Sequence, residues 1–434
     1  MTRIALSIRL TFKGKVRQGN GVSLYSYSAY SLANGPLLLD LDPYDGGYWL
    51  ISFYDIYGLT HYSFGSAHGN NAGGKWLLVP HGWEGQLPED WNGTLIYSPT
   101  VEGSILGRTS FNGTGAVAWR ASWRLGPWAP AAKPVIRLPP VGSGFGYPDQ
   151  DPGALNAVNA ADPLAFWRLA GDIYRRNGNP ALPTPLADQL EKLGIFRDYG
   201  FLPSGLNQNV TDALAYAPVL ANRILVAKYI FLGSPAQNYW HLPIYNGAWG
   251  NDYVLGAAIM KGFWVSNFLV DAAYYYNYLD SEGVPYNGSY VYHIEFPAPP
   301  PARNRAFWSI QALNLDEWTP IFGPNLVNQA LSSATPGLYI AKDGSVPVRI
   351  QPNDPPANTT AASRGWNWVK GYSGRFHLIL RIYSGAPEVL TNTYVPPPVV
   401  KLGLVNSTAP PSPLPLASPF PPASGFPSPA PVSG

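Results

Sequence analysis

The chain has 434 residues, of which 45 are Gly and 46 are Pro, a density of backbone punctuation that breaks long helices and favours short strands joined by turns. Its 15 Trp, 28 Tyr and 17 Phe, within 46% apolar residues, are enough for a large core and exclude disorder over most of the length, as well as a coiled coil. Charge is low and balanced, 28 basic residues against 26 acidic for a net +2, without the basic stripe of a nucleic-acid binder. Length alone allows two or three domains. Cysteine is absent, which excludes disulfides, thiolate metal sites and a thiol nucleophile. No run of about 18 uncharged apolar residues occurs, so no spanning helix is expected. The nearest, Leu255 to Leu269, is interrupted by Lys261.

Taken in chain order, residues 1–18 (beginning MTRIALSIRLTFKGKV) are too short and too often charged for a secretory signal, and are read as an N-terminal segment. Residues 19–130 read as strands. Tyr48 to Tyr57 is apolar on both parities, as in a strand buried between two layers, and further runs follow at Trp76–Val79, Leu95–Tyr97 and Ile105–Phe111. Residues 131–236 begin as a Pro/Gly-rich linker and become helical. Asp162-Pro163 starts one helix, whose apolar face holds Leu164, Trp167, Ala170 and Ile173 and which Asn177-Gly178 can end. Thr184-Pro185 starts a second, with a stop at Gly194, and Asn209 to Leu232 forms a third, bent at Pro218. One more short helix is expected near Asp252–Trp264. Residues 237–403 return to strands at Tyr290–Phe296, Phe307–Leu315, Leu338–Ala341, Val346–Gln351 and Phe376–Tyr383, with Asp343-Gly344 as a tight-hairpin signal between two of them. Residues 404–434 form a Pro/Ser/Ala-rich tail, expected to be extended and disordered. The fold class expected is mainly β: two β-sandwich domains joined by a helical section.

Two ordered series of motifs resemble a known pair of families. LYSYSAYSLANGPLLLDLDP, YWLISFYDIYGLTHYSFGS, GNNAGGKWLLVPHGW and SPTVEGSILGRT, over residues 19–128, resemble the domain of unknown function numbered 1254. YNGAWGNDYVLGAAI, YLDSEGVPYNGSYVYHIEF, AFWSIQAL, KDGSVPVRIQ, NWV and GRFHLILRIYS, over residues 237–403, resemble its usual companion, numbered 1214. The family's Asn-x-Asp-Thr-x-Tyr pattern reads Asn20-Gly21-Val22-Ser23-Leu24-Tyr25 here, without its acidic position. Its Asn-Trp-Leu-Pro-Ala-Pro segment is reduced to Asn367-Trp368-Val369-Lys370-Gly371. The resemblance implies two β-sandwiches, the second of jelly-roll type, with helices between them. It implies no established activity.

Among candidate site residues, Asp55 shares strand parity with Trp49, Ile51 and Phe53, where a carboxylate would have a raised pKa and could act as a base. The structural alternative is that it bonds backbone N–H groups of the Ile56–Leu59 turn, and this weighs about two to one. Arg108 and Arg381 sit inside strand-like runs, Arg381 on the parity of His377, Ile379 and Tyr383. Each could clamp an anion bidentately or be stacked and paired structurally. Tyr25 and Trp308 would add flat apolar contact. The six histidines (His61, His68, His81, His241, His293 and His377) show no HxH or HExxH spacing, and neither a metal nor a cofactor is expected. No nucleophile elbow or phosphate loop is present. Trp83, Trp91, Trp123, Trp128, Trp240, Trp249, Trp318 and Trp366 lie in or beside loop-like segments, suited to stacking on a ligand or to packing between domains. Six Asn-x-Ser/Thr sequons, at Asn92, Asn112, Asn209, Asn287, Asn358 and Asn406, are about twice the chance number. With the tail they favour an extracytoplasmic protein; the lack of a signal favours a cytoplasmic one.

The reading that follows is binding of a glycan or a small apolar or anionic molecule in an aromatic-lined cleft between domains, at Tyr25, Arg108, Trp308 and Arg381. The first alternative is a hydrolase- or lyase-type enzyme using Asp55 with Arg108 or Arg381. The second is a structural cell-wall or surface glycoprotein.

Overall fold

The computed structural model describes residues 22–110, 113–128, 162–178, 184–230, 234–235, 237–263, 265–315 and 330–405. The expected N-terminal segment, most of the linker, Trp318, the sequons at Asn112 and Asn406 and the tail beyond 405 lie outside them. Strand content is 34% against 24% helix, so the chain is mainly β.

The N-terminal half holds β1 (Ser23–Ser31), β2 (Leu37–Leu41), β3 (Trp49–Asp55), β4 (Thr60–Gly65), β5 (Gly74–Pro80), β6 (Thr94–Ser98), β7 (Glu102–Ser110) and β8 (Arg124–Pro127). They form two four-stranded sheets, β1-β7-β3-β4 and β6-β5-β2-β8. Leu37, Leu39, Trp76 and Leu78 of one sheet and Trp49, Ile51, Phe53 and Ile105 of the other share a single apolar core. Strand β3 is buried along its whole length because its other face is covered too. Leu50 and Tyr54 point away from that core, into clusters shared with the second half. Both parities of this strand are therefore apolar for the reason its sequence suggests.

The helical section consists of Ala165–Asn177, Thr184–Lys192 and Gln208–Ile230, with the short β9 (Ile195–Phe196) and β10 (Gly200–Phe201) between. Gly178 ends the first helix at φ 62°, a conformation that disfavours residues with a Cβ. Pro218 sits inside the third helix and has no N–H for the carbonyl of Leu214. The indole N–H of Trp167 donates to that carbonyl at 2.7 Å, so the first helix supplies the hydrogen bond the proline removes.

The C-terminal half holds β11 (Ser234–Pro235), β12 (Trp240–Leu242), β13 (Ala272–Asn277), β14 (Tyr290–Phe296), β15 (Trp308–Asn314), β16 (Leu331–Ser332), β17 (Val346–Gln351), β18 (Asn367–Lys370), β19 (Phe376–Tyr383) and β20 (Val400–Leu404). A six-stranded sheet, β11-β12-β13-β19-β15-β16, and a four-stranded one, β18-β17-β14-β20, share a second core around Trp308, Leu378, Leu380, Ile294 and Val348. Among the described pairings only β5–β6 and β17–β18 are parallel. Leu338–Ala341 is not the strand its composition suggests. The Asn367 side chain accepts from Tyr339 N and donates to Tyr339 O, both at 2.8 Å, and so takes the hydrogen bonds that a neighbouring strand would make. The Asp343-Gly344 turn forms, with Ala341 N bonded to Ser345 O, but does not join two strands. The expected short helix is Tyr253–Phe263. Among the described residues three further α-helices, Ala116–Ala121, Ala361–Arg364 and Pro387–Leu390, are too short to leave a periodic signal.

Trp167→Phe keeps the ring volume but leaves the Leu214 carbonyl without its donor. It is expected to lower unfolding free energy by about 1–3 kcal/mol, read from denaturant titration. A neutral result would show that Trp167 acts by packing alone.

Candidate functional site

The two halves meet along a seam that is aromatic and, at its centre, polar. One wall is the outer face of the β1-β7-β3-β4 sheet. The other is the β13-β19-β15 face on which Tyr274, Tyr276, Ile379 and Tyr383 lie, with the helix Tyr253–Phe263 inserted through Leu255, Ala258, Ile259 and Phe263. Tyr48, Phe307 and Tyr383 form an aromatic trio, with centroids 4.3–5.5 Å apart. At the centre the Asn267 carbonyl oxygen accepts from Arg108 Nη1 (2.8 Å), Tyr54 Oη (3.0 Å) and Ser52 Oγ (3.2 Å), and its amide donates to Tyr274 Oη (2.8 Å). Arg108 is 5% exposed and lies 5.6 Å from the Tyr25 ring centroid, and no carboxylate among the described residues pairs with it. Asp271, fully buried at the start of β13, bonds His68 of the first half at 2.6 Å through Oδ1. Among the described residues its Oδ2 has no hydrogen-bond partner, nor do Tyr48 Oη, Ser309 Oγ and Gln311 Nε2. Burial, reinforced by Asp271, pushes the Tyr48 phenol well up, so its hydroxyl stays protonated and able to donate.

Three of the five expected residues belong to this seam. Tyr25 and Arg108 touch directly. Arg381 is fully buried on β19, beside Tyr274 on one side and Ser309 on the other in the sheet register, and its Nη1 donates to Gln311 Oε1 at 2.9 Å. Trp308 faces the opposite way, into the C-terminal core, where it packs near Phe296. Asp55 is at the far end of β3. The register places Arg108 opposite Leu50 and Gly103 opposite Asp55, so five residues, about 16 Å along the strand, separate carboxylate and guanidinium. Asp55 Oδ1 accepts from Leu59 N at 2.9 Å, the turn-bonding role. Burial raises its pKa to about 6 against the opposing backbone N–H groups of Leu59, Tyr57 and Gly58. Sequence reasoning passed over Asn267, Tyr48, Tyr274 and Asp271. The alternation of Ser309 and Gln311 with Trp308, Ile310 and Ala312 carried a usable signal, a strand polar on one buried face.

Of the loop-associated tryptophans, Trp123, Trp240 and Trp249 are buried, Trp91 and Trp128 pack on each other, and Trp366 lies between Arg349 and Arg364. Asn92, Asn209, Asn287 and Asn358 are exposed. No three His, Asp or Glu side chains among the described residues converge as metal ligands would, and no described helix is long and apolar enough to cross a membrane. A groove of ≈ 420 Å³ opens on the helical section rather than the seam, lined by Trp167, Leu193, Asn207, Val210, Ala213 and Leu214 among others.

These features define a mainly β protein whose two sheet pairs are joined by a buried polar and aromatic contact. Residues 9–121 match the family described as protein of unknown function (DUF1254), and residues 271–387 match that described as protein of unknown function (DUF1214). The two matches follow the expected pairing, DUF1254 in the N-terminal half and DUF1214 in the C-terminal half. The second match starts after YNGAWGNDYVLGAAI, which lies outside it. No curated protein matches the chain. In fold it is similar to the VPA0106 protein from Vibrio parahaemolyticus, with 16% identity, a TM-score of 0.61, and 88% of this chain and 90% of that one covered. A putative uncharacterized protein from Burkholderia cenocepacia aligns at 12% identity and a TM-score of 0.42, covering 89% of this chain and 79% of that one.

Asp55 and His61 flank the β3–β4 turn and titrate with opposite consequences. The Asp55 pKa, raised to about 6, contributes stability that is full below about pH 4 and is lost as pH rises through about 6. Burial lowers the His61 pKa to about 4, so its contribution is full above about pH 6.5 and is lost as pH falls through about 4. Each is worth about 3 kcal/mol, and between pH 4 and 6.5 they offset one another. Denaturation curves across this range should show Asp55→Asn losing stability on acidification relative to wild type, and His61→Gln gaining it. Parallel pH profiles for all three proteins would contradict the assignment.

Proposed function

We propose that the protein binds a small organic anion, such as an acidic sugar or an aromatic carboxylate, at the seam between two β-sandwich domains. The domains span residues 19–130 and 237–403, the second of jelly-roll type. The observation that carries this reading is the buried Arg108 guanidinium. It is always charged, faces an aromatic ring and a carboxamide, and has no carboxylate partner among the described residues. Removing such a cation from water costs several kcal/mol unless an anion or a full set of acceptors compensates. The Tyr48 hydroxyl and the Gln311 Nε2 group, without acceptors among the described residues, would donate to the same ligand, Arg381 would orient its far end, and Tyr25 would bound it. Asp55 takes no part, because it lies too far along β3. The hydrolase or lyase alternative thereby loses its base.

Thermal-shift measurements against uronic acids, aromatic carboxylates and neutral glycans test the reading. Acidic compounds should raise the melting temperature by several degrees at saturating concentration, and Arg108→Gln should lose that response. A rise with neutral glycans that survives Arg108→Gln, or no rise with any compound, would overturn it.

A further inference from the structure

The helix Gln208–Ile230 presents an apolar stripe that no described residue covers. Leu214, Pro218 and Leu225 lie towards the molecule, Leu225 against the cluster that fills the seam. On the other side Tyr216, Leu220 and Ile224, spaced at i, i+4 and i+8, are 53%, 45% and 51% exposed. Ala213 and Ala227, also exposed, add small residues on the same side, where a second backbone can come close.

The charges beside this stripe are self-complementary. Asp212 and Arg223 are eleven residues apart, three full turns, so Arg223 lies within about 20° of the azimuth of Asp212 and about 16 Å further along the axis. They flank the same edge of the stripe and are too far apart to pair within one helix. Among the described residues, Gln208 donates to Asp212 Oδ1 at 2.8 Å, and no carboxylate pairs with Arg223. A two-fold axis perpendicular to the helix and passing between Ala217 and Pro218 sets Asp212 of each copy opposite Arg223 of the other. The same register interleaves Tyr216 and Leu220 with their symmetry mates.

We propose that a second copy of this chain docks here, in an antiparallel, two-fold pairing of the Gln208–Ile230 helices. The contact is isologous, so one patch serves both subunits and the assembly closes at two. It is independent of what binds at the seam.

Light scattering coupled to gel filtration, with sedimentation velocity over a hundredfold range of concentration, tests it on the full chain. Wild type should be dimeric. Leu220→Glu, at an exposed position that leaves the circular dichroism unchanged, should be monomeric. Asp212→Arg and Arg223→Asp should each weaken the dimer at least tenfold. The double exchange Asp212→Arg with Arg223→Asp should restore it, which neither general charge effects nor loss of folding can produce. A monomeric wild type, or a double exchange no better than the single ones, would overturn the pairing.

Discussion

The arrangement of the two halves depends on one carboxamide. Asn267 stands between the helix Tyr253–Phe263 and β13, and its two polar atoms bond groups from β3, β7 and β13. Arginine can only donate, so the atom facing Arg108 must be the carbonyl oxygen. That fixes the amide towards the Tyr274 hydroxyl. An unsatisfied buried polar group costs about 1–3 kcal/mol, and four such groups depend on this one side chain. The outer face of the first sheet can therefore carry Ser52, Tyr54 and Arg108 where a solely apolar contact would exclude them. The seam is held in one registration by direction-dependent bonds as well as by aromatic packing.

Polarity on these faces also explains which parts of the architecture were legible. Strands β14, β17 and β19 have the limits their sequences suggest, because each alternates or is apolar over a bounded run. The parity argument placed Arg381 with Ile379 and Tyr383 and holds in the structure, since β19 is covered on both faces and the second face is the seam. The same argument, applied to β15, would have separated Trp308 from Ser309 and Gln311 and sent the tryptophan into the core. Asn267 had no such signal. A single Asn between Ser266 and Phe268 in a short connection has no periodicity, and its importance lies wholly in what the fold brings to it. Leu338–Ala341 failed for a related reason, because a side chain 28 residues away satisfied a backbone that composition alone would pair with a strand.

The turn that holds Asp55 shows how a polar residue in an apolar strand can serve packing. Asp55 accepts from Leu59 N and shapes the Ile56–Leu59 turn, whose Gly58 adopts φ +84°. A Cβ at Gly58 would collide with the side chain of Met260. The turn therefore packs directly on the Met260 side chain of the helix Tyr253–Phe263, and Thr60 reaches the Ser266 carbonyl at 2.6 Å. Carboxylate, glycine and threonine together align the first half with the segment that carries Asn267.

The same helix connects the seam to the rest of the molecule. Tyr253–Phe263 contributes Leu255, Ala258, Ile259 and Phe263 to the seam, and the helix Gln208–Ile230 packs on it with Leu225 in the same cluster. Pro218 divides Gln208–Ile230 into two parts, and the Trp167 indole joins the Leu214 carbonyl at that division. The backbone there is held by a side chain from another helix, a bond that can open without breaking the helical ladder on either side. A contact made on the exposed stripe acts on the helix near this division, while the opposite face abuts the element lining the seam. What physically links the two surfaces is thus a short series of packed side chains with one replaceable hydrogen bond. Any coupling between them has to act through the backbone at Pro218 or through rigid displacement of the whole helix against Tyr253–Phe263.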